Sequence, residues 1–249
     1  MSVILLATDL DDTLVGNNAS LQQFNQIVSK LRSQQKVKLV YVTGRSPESF
    51  RELQARESLP EPDALVAAVG TEIYLGDEQR ILNWPQVSNW DVQKIKSLLA
   101  HIPALELQPT HGQRQYKVGY FLENNKQVLH LVEEALKDYP VEIVYCQGIY
   151  LDILPKGSHK GGSIRFLSEL WNIDARNIIT CGDSGNDISM LEGNKAVIVG
   201  NAKKELLEWA ASSRLTNTYM AHNKYASGII EGLTHYKVIH QDHYARISN

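Results

Sequence analysis

VILLATDLDDT, residues 3–13, is the stretch on which the fold turns. Val3 to Ala7 form an apolar run with no polar alternation, the mark of a strand covered on both faces, and the run breaks directly into Asp9, Asp11 and Asp12. It is far shorter than the ~20 residues that span a bilayer and has no basic leader, so a buried strand is expected rather than a signal. Two similar runs follow, KLVYVT at 38–43 and ALVAAVG at 64–70. Between the first two, Ser20 and Gln23 have capping-box spacing, and Phe24, Ile27, Val28 and Leu31 share one helical face. Strand, helix, strand implies a parallel pair. Ser46 as N-cap and Pro47 at the first helical position predict a second helix right after Thr43-Gly44-Arg45. The same grammar returns in NIITCGD (177–183) and AVIVGN (196–201), which flank a helical segment with Ile188, Met190 and Leu191.

Between these halves the pattern changes. A helix is expected near Asp91 to His101, a strand near Tyr116 to Leu122, a helix near Lys126 to Lys137, and two extended runs, VEIVYC and IYLDIL. Helices on an antiparallel sheet that interrupt a βαβ series read as a separate insert. The expected architecture is therefore α/β: a parallel-sheet core made of 1–78 and 158–249, with an inserted α+β cap at 79–157.

Composition narrows the class. The chain has 249 residues, 43% hydrophobic and 21% charged, with 16 Gly and 8 Pro, which excludes collagenous and disordered readings. A net charge of −3 lacks the basic surplus that phosphate-backbone binding needs, so no nucleic-acid partner is expected. Cys146 and Cys181, 35 positions apart, make neither a metal knuckle nor a disulfide framework; a reducing, cytoplasmic compartment and no membrane association are expected. No fixed-period repeat, G-x-G-x-x-G or P-loop occurs.

In an open parallel sheet the ligand sits beyond the carboxyl ends of the strands, where this sequence has Asp9, Thr43 and Asp183. Extended geometry points Asp9 and Asp11 to one side. Thr43-Gly44 at a helix start offers a hydroxyl, free N–H groups and the positive end of a dipole to an anion. Lys160, opening a helix that carries Ile164, Leu167, Leu170 and Trp171, could bring a fixed positive charge to it. Gly182-Asp183-Ser184-Gly185-Asn186-Asp187 places two carboxylates four apart at a strand-to-helix turn, an oxygen donor set that suits Mg²⁺ better than Zn²⁺.

These four segments, in this order, resemble the motifs of the haloacid dehalogenase superfamily of aspartate-based phosphatases, and the resemblance spans nearly the whole chain. It implies a Rossmann-like core, Asp9 as nucleophile and Asp11 as acid and base. It also implies Thr13, Thr43, Gly44, Arg45, Lys160 and Asn186 around the phosphoryl group, Asn186 helping to position Lys160 or the phosphate, and Asp9, Asp11, Asp183 and Asp187 around Mg²⁺. VGTEIY (69–74), YKVGYFLEN (116–124), LDILPKGSHKG (151–161), IVGNAKKELLEW (198–209) and AHNKYASGIIEGL (221–233) are similar to the sucrose-phosphate phosphatases within that superfamily. That likeness implies hydrolysis of sucrose 6-phosphate, with a small sugar phosphate as ligand; association with sucrose-phosphate synthase is compatible with the motifs but not implied by them.

Sugar hydroxyls need directional polar partners; Glu72, Lys117, Asp152, Ser158, His159 and Asn201 are the candidates, Lys117 and Glu72 first. Competing substrates are trehalose 6-phosphate, mannosyl-3-phosphoglycerate and hexose phosphates. A phosphomutase and a silent partner subunit of the synthase are the competing activities. Trp171 and Trp209 read as packing residues and Trp84 or Trp90 as hinge or pocket lining, while His240 and His243 read as a solvated tail with no metal role.

Overall fold

A computed structural model describes residues 3–76, 79–87, 89–213 and 216–240. Along the chain run β1 (Ile4–Thr8), α1 (Asn18–Ser33), β2 (Val37–Val42), α2 (Pro47–Glu57), β3 (Ala64–Ala67), β4 (Glu72–Leu75) and β5 (Gln79–Arg80). Then come α3 (Val92–Leu99), β6 (Glu106–Leu107), β7 (Val118–Phe121), α4 (Lys126–Leu136), β8 (Val141–Cys146) and β9 (Tyr150–Pro155). The chain returns through α5 (Lys160–Leu170), β10 (Ile178–Gly182), α6 (Ile188–Leu191), β11 (Lys195–Ile198), α7 (Lys204–Ser212), β12 (Thr218–Met220) and α8 (Tyr225–His235).

The large sheet has the order β12-β11-β10-β1-β2-β3-β4-β5, parallel from β12 to β3 and antiparallel beyond. Period-two alternation sorts its side chains: Leu6, Leu39 and Tyr41 pack under Phe24, Val28, Phe50 and Ile229 on one face, while Leu5, Ala7, Val40 and Val42 meet Ile164, Leu167 and Met190 on the other. Both faces are covered, which is why the strands read as continuous apolar runs. The four-stranded cap sheet, β6-β7-β9-β8, is antiparallel and carries α3 and α4 over a core of its own around Ile95, Val118, Val132 and Ile153.

Three local expectations shift. Asn17, not Ser20, caps α1: its Oδ1 accepts from Ser20 N at 3.0 Å. The run at 64–70 is not one strand, because Ala68 and Val69 take left-handed φ of 50° and 61° and turn the chain into β4. The cap boundary expected at 79 also falls inside the large sheet. β5 pairs with β4, and Trp84 packs in the core against Phe166, its Nε1 donating to Gly70 O at 2.8 Å. His240 is exposed, and His243 lies outside the described residues.

Candidate active site

Chain order reverses around β1, with β2 on one side and β10 on the other, so the carboxyl ends of these three strands meet at a topological switch point. Asp9 follows β1 there, its N–H donating to Cys181 O at 3.0 Å; Thr43 follows β2 and Asp183 follows β10. Lys160, fully buried at the start of α5, donates to Asp9 Oδ1 at 2.6 Å and to Asp187 Oδ1 at 2.7 Å. Gly161 lets α5 come this close: a Cβ there would collide with Ser189 O. Gly70, at φ 106°, likewise lies against the His159–Lys160 backbone. The strained Ala68–Val69 turn fixes the loop after β2, since Ala68 N donates to Arg45 O (2.9 Å) and Val69 N to Thr43 O (3.0 Å). A β-branched residue in the left-handed region is a conformation that the surroundings must impose, and such strain clusters at functional sites.

Asp9, Asp183 and Asp187 bring carboxylate oxygens within 4.8 Å of one another, all three residues buried. Burial pushes the Asp9 carboxyl well above its ordinary range, and Lys160 pulls it back. Burial would lower the Lys160 ammonium, but Asp187 and Asp9 more than reverse this and hold it charged. Asp183 is pushed up to about 7, by burial first and by Asp187 second. Its Oδ1 accepts from Thr13 Oγ1 at 2.8 Å, while its Oδ2 is buried without a hydrogen-bond partner. A buried carboxylate oxygen with no partner, in an all-oxygen donor set of surplus negative charge, fits a hard divalent cation. This cluster could hold a metal ion through Asp9 and Asp183. Asp187 is already engaged, its Oδ2 taking the N–H groups of Asp183 (3.0 Å) and Ser184 (3.1 Å).

The remaining expected residues fall into three groups. Asp11, half exposed, is gripped by Arg45, whose Nε and Nη2 each reach a different carboxylate oxygen at 2.7 Å; Thr43 Oγ1 accepts from Arg45 N at 3.1 Å. Glu72, Lys117 and Asp152 are buried, Lys117 Nζ lying 2.9 Å from Asp152 Oδ1, with Glu72 held by Arg114 and Tyr74. The third group makes hydrogen bonds within the scaffold. Thr13, expected at the phosphoryl group, gives its hydroxyl to Asp183. Asn186, expected to help position Lys160 or phosphate, has Ser184 Oγ as its neighbour at 3.3 Å, and Asp187 holds the lysine instead. Asn201, expected at the sugar, donates to Asp12 O at 2.6 Å and accepts from Tyr225 N at 3.0 Å, so both polar ends tie the loop after β1 to α8. His159 is the N-cap of α5, its Nδ1 accepting from Gly162 N at 3.2 Å, and buried Ser158 closes a turn through its N–H to Pro155 O. Trp90 gives its Nε1 to Gln115 O at 2.8 Å; Trp171 and Trp209 pack against the core as expected.

Lys203 was not foreseen. Its N–H reaches Asp183 O (2.7 Å) and its Nζ reaches Asp12 Oδ2 (2.8 Å), joining two of the acidic loops. Arg114 and Tyr74 were also missed; Arg114 lies outside every motif, Tyr74 closes VGTEIY without a role of its own, and only the folded contact with Glu72 reveals either.

With this geometry in hand, comparison with known families gives a match over residues 2–237 to the family described as sucrose-6F-phosphate phosphohydrolase. The chain belongs to that family. Among its curated relatives, a protein named probable sucrose-phosphatase 2 from Arabidopsis thaliana is 34% identical over 94% of this chain, and the chain spans 60% of that protein's length. Mannosylfructose-phosphate phosphatase from Agrobacterium fabrum is 32% identical over 93% of this chain and 96% of its own. A solved sucrose-phosphatase from Synechocystis, in complex with sucrose and phosphate, superposes with a TM-score of 0.90 at 33% identity, covering 95% of this chain and 99% of that one. No helix among the described residues is long and apolar enough to cross a membrane.

Proposed function

We propose that the chain is a Mg²⁺-dependent phosphoric monoester hydrolase that cleaves sucrose 6-phosphate to sucrose and inorganic phosphate. One observation carries the chemistry: the buried Asp9 carboxylate at the end of the central strand, 2.6 Å from Lys160 and clustered with the partnerless Asp183 oxygen. In the first step an Asp9 oxygen attacks phosphorus, the bond from phosphorus to the sugar oxygen breaks, and Asp11 gives that oxygen its proton, leaving an aspartyl phosphate and a free sugar. In the second, water attacks the same phosphorus, Asp11 takes the water's proton, and Asp9 departs as carboxylate. Lys160, the Thr43 hydroxyl, the Gly44 N–H and Arg45 hold the phosphoryl oxygens; for this, the Arg45 grip on Asp11 must loosen as substrate enters. Mg²⁺, held by Asp9 and Asp183, supplies positive charge against the phosphoryl group when bound. Asp187 serves by fixing Lys160.

The substrate reading is supported by the Synechocystis relative, whose complex holds sucrose and phosphate and which this chain matches over nearly its whole length. The Agrobacterium relative, similar over a comparable span, supports mannosylfructose phosphate as the second reading. Both are disaccharide phosphates. Phosphate release from sucrose 6-phosphate, mannosylfructose phosphate, trehalose 6-phosphate and glucose 6-phosphate, with and without EDTA, decides among them. A preference for sucrose 6-phosphate that EDTA abolishes is expected, whereas equal turnover of all four would remove the substrate assignment.

A further inference from the structure

Glu72 is 1% exposed, and its two oxygens accept three hydrogen bonds. Arg114 Nε gives one at 2.9 Å to Oε1, Arg114 Nη2 another at 2.9 Å to Oε2, and Tyr74 OH a third at 2.7 Å to Oε2. Glu72 opens β4 of the core, whereas Arg114 lies in the cap, between β6 and β7. The pair is therefore a two-pronged ion pair across the boundary between cap and core. Burial would raise the Glu72 carboxyl, but Arg114 and Tyr74 overcome this and hold it below the usual range. Arg114 Nη1 also reaches Glu48 at 3.4 Å, a carboxylate 71% exposed and thus of little weight.

The turn that carries Arg114 is gripped as a unit. Arg114 and Lys117 exchange backbone hydrogen bonds (3.0 and 3.3 Å), Gln115 O accepts from Trp90 Nε1, and Arg80 of β5 lies 3.4 Å from Gln115 Oε1. One end of this turn thus holds the core carboxylate Glu72, and the other holds the buried Lys117–Asp152 pair inside the cap.

We propose that Arg114 is the latch of the cap, acting through Glu72, and that closing it sets the Arg114–Lys117 turn and with it the sugar side of the site. Opening the cap strips a buried carboxylate of two charged hydrogen bonds and leaves it a single tyrosine donor, so the docked state is favoured wherever Arg114 is present. The latch deepens the phosphatase reading and rests on it only for its kinetic consequence. Closure excludes water and completes the pocket for a large leaving group, whereas a small aryl phosphate needs little from the cap.

Its test reads cap position directly. Cys146 and Cys181 are buried, so spin labels go on Glu133→Cys in the cap and Glu208→Cys in the core, both exposed positions. Arg114→Ala is expected to raise the open population about tenfold or more, and Arg114→Lys, which cannot bridge both oxygens, is expected to lie between. Glu72→Gln combined with Arg114→Ala is expected to open the cap no further than Arg114→Ala alone. In turnover, Arg114→Ala is expected to raise KM for sucrose 6-phosphate more than KM for p-nitrophenyl phosphate. Distance distributions that superimpose for the parent and Arg114→Ala would overturn the latch. A parent protein that hydrolyses neither ester would overturn the phosphatase reading, with the distances still deciding the latch.

Discussion

Replacing Asp183 with asparagine is expected to make the metal-free protein more stable while destroying its activity. Burial and Asp187 lift the Asp183 carboxyl from an ordinary 3.8 to about 7, which at about 1.4 kcal/mol per tenfold change in proton affinity is about 4 kcal/mol of destabilisation once the group is ionised. The amide side chain removes that charge and keeps an oxygen for the Thr13 hydroxyl. Its NH₂ group takes the place of the partnerless Oδ2 and costs about 1–3 kcal/mol if it stays unpaired. The net gain is about 1–3 kcal/mol, or about 2–10 °C in Tm for a chain of this length. The sign of the pH dependence follows from the raised folded-state value. The folded protein keeps this proton to higher pH than the unfolded chain, so the metal-free parent loses stability as pH rises from about 4 to about 7 and then levels off, a component Asp183→Asn lacks. Urea unfolding of both proteins in EDTA across that range measures it. Saturating Mg²⁺ is expected to reverse the order, since only the parent gains from the bound ion. An Asp183→Asn protein less stable than the parent in EDTA at about pH 7.5, or a difference that does not grow between about pH 4 and 7, would refute the reasoning.

Lys160→Met removes the only cation within hydrogen-bond reach of Asp9 and Asp187 among the described residues, and a loss of about 3–5 kcal/mol in urea unfolding, with no phosphate release, is expected. Asn201→Ala cuts the ties to Asp12 O and Tyr225 N; stability is expected to fall by about 1–3 kcal/mol, and a rise in KM without that fall would instead place Asn201 at the sugar. His159→Asn swaps one N-cap for another, so its unfolding midpoint is expected to move by no more than about 0.5 kcal/mol.

The core was legible because its signals are local. Apolar runs ending in Asp9, Thr43 and Asp183 mark strand ends, and strand ends in a parallel sheet converge, so the meeting of Asp9 with Asp183 followed from the pattern, whereas Lys160, at a helix start, was placed beside them by the family resemblance. For other expected residues, one residue type has several possible partners and spacing does not choose among them. Asn201, Thr13 and His159 are polar residues beside the site, and nothing in their spacing says that they hydrogen-bond backbone or a neighbouring carboxylate. Arg114 was invisible for the opposite reason: its partner Glu72 is 42 positions away across a domain boundary, and only the closed fold brings the two together. The left-handed Ala68–Val69 turn was equally hidden, since Val69 prefers extended backbone and is overridden by the contacts that fix Thr43 and Arg45.

The central claim is that the phosphoryl group passes through Asp9. Rapid acid quench of the Mg²⁺-loaded protein during turnover of sucrose 6-phosphate, followed by peptide mass analysis, tests it most directly. The peptide spanning the end of β1 is expected to carry one added phosphoryl group on Asp9, absent from Asp9→Asn. Steady turnover with no phosphorylated peptide, or with the group on another residue, would contradict the account.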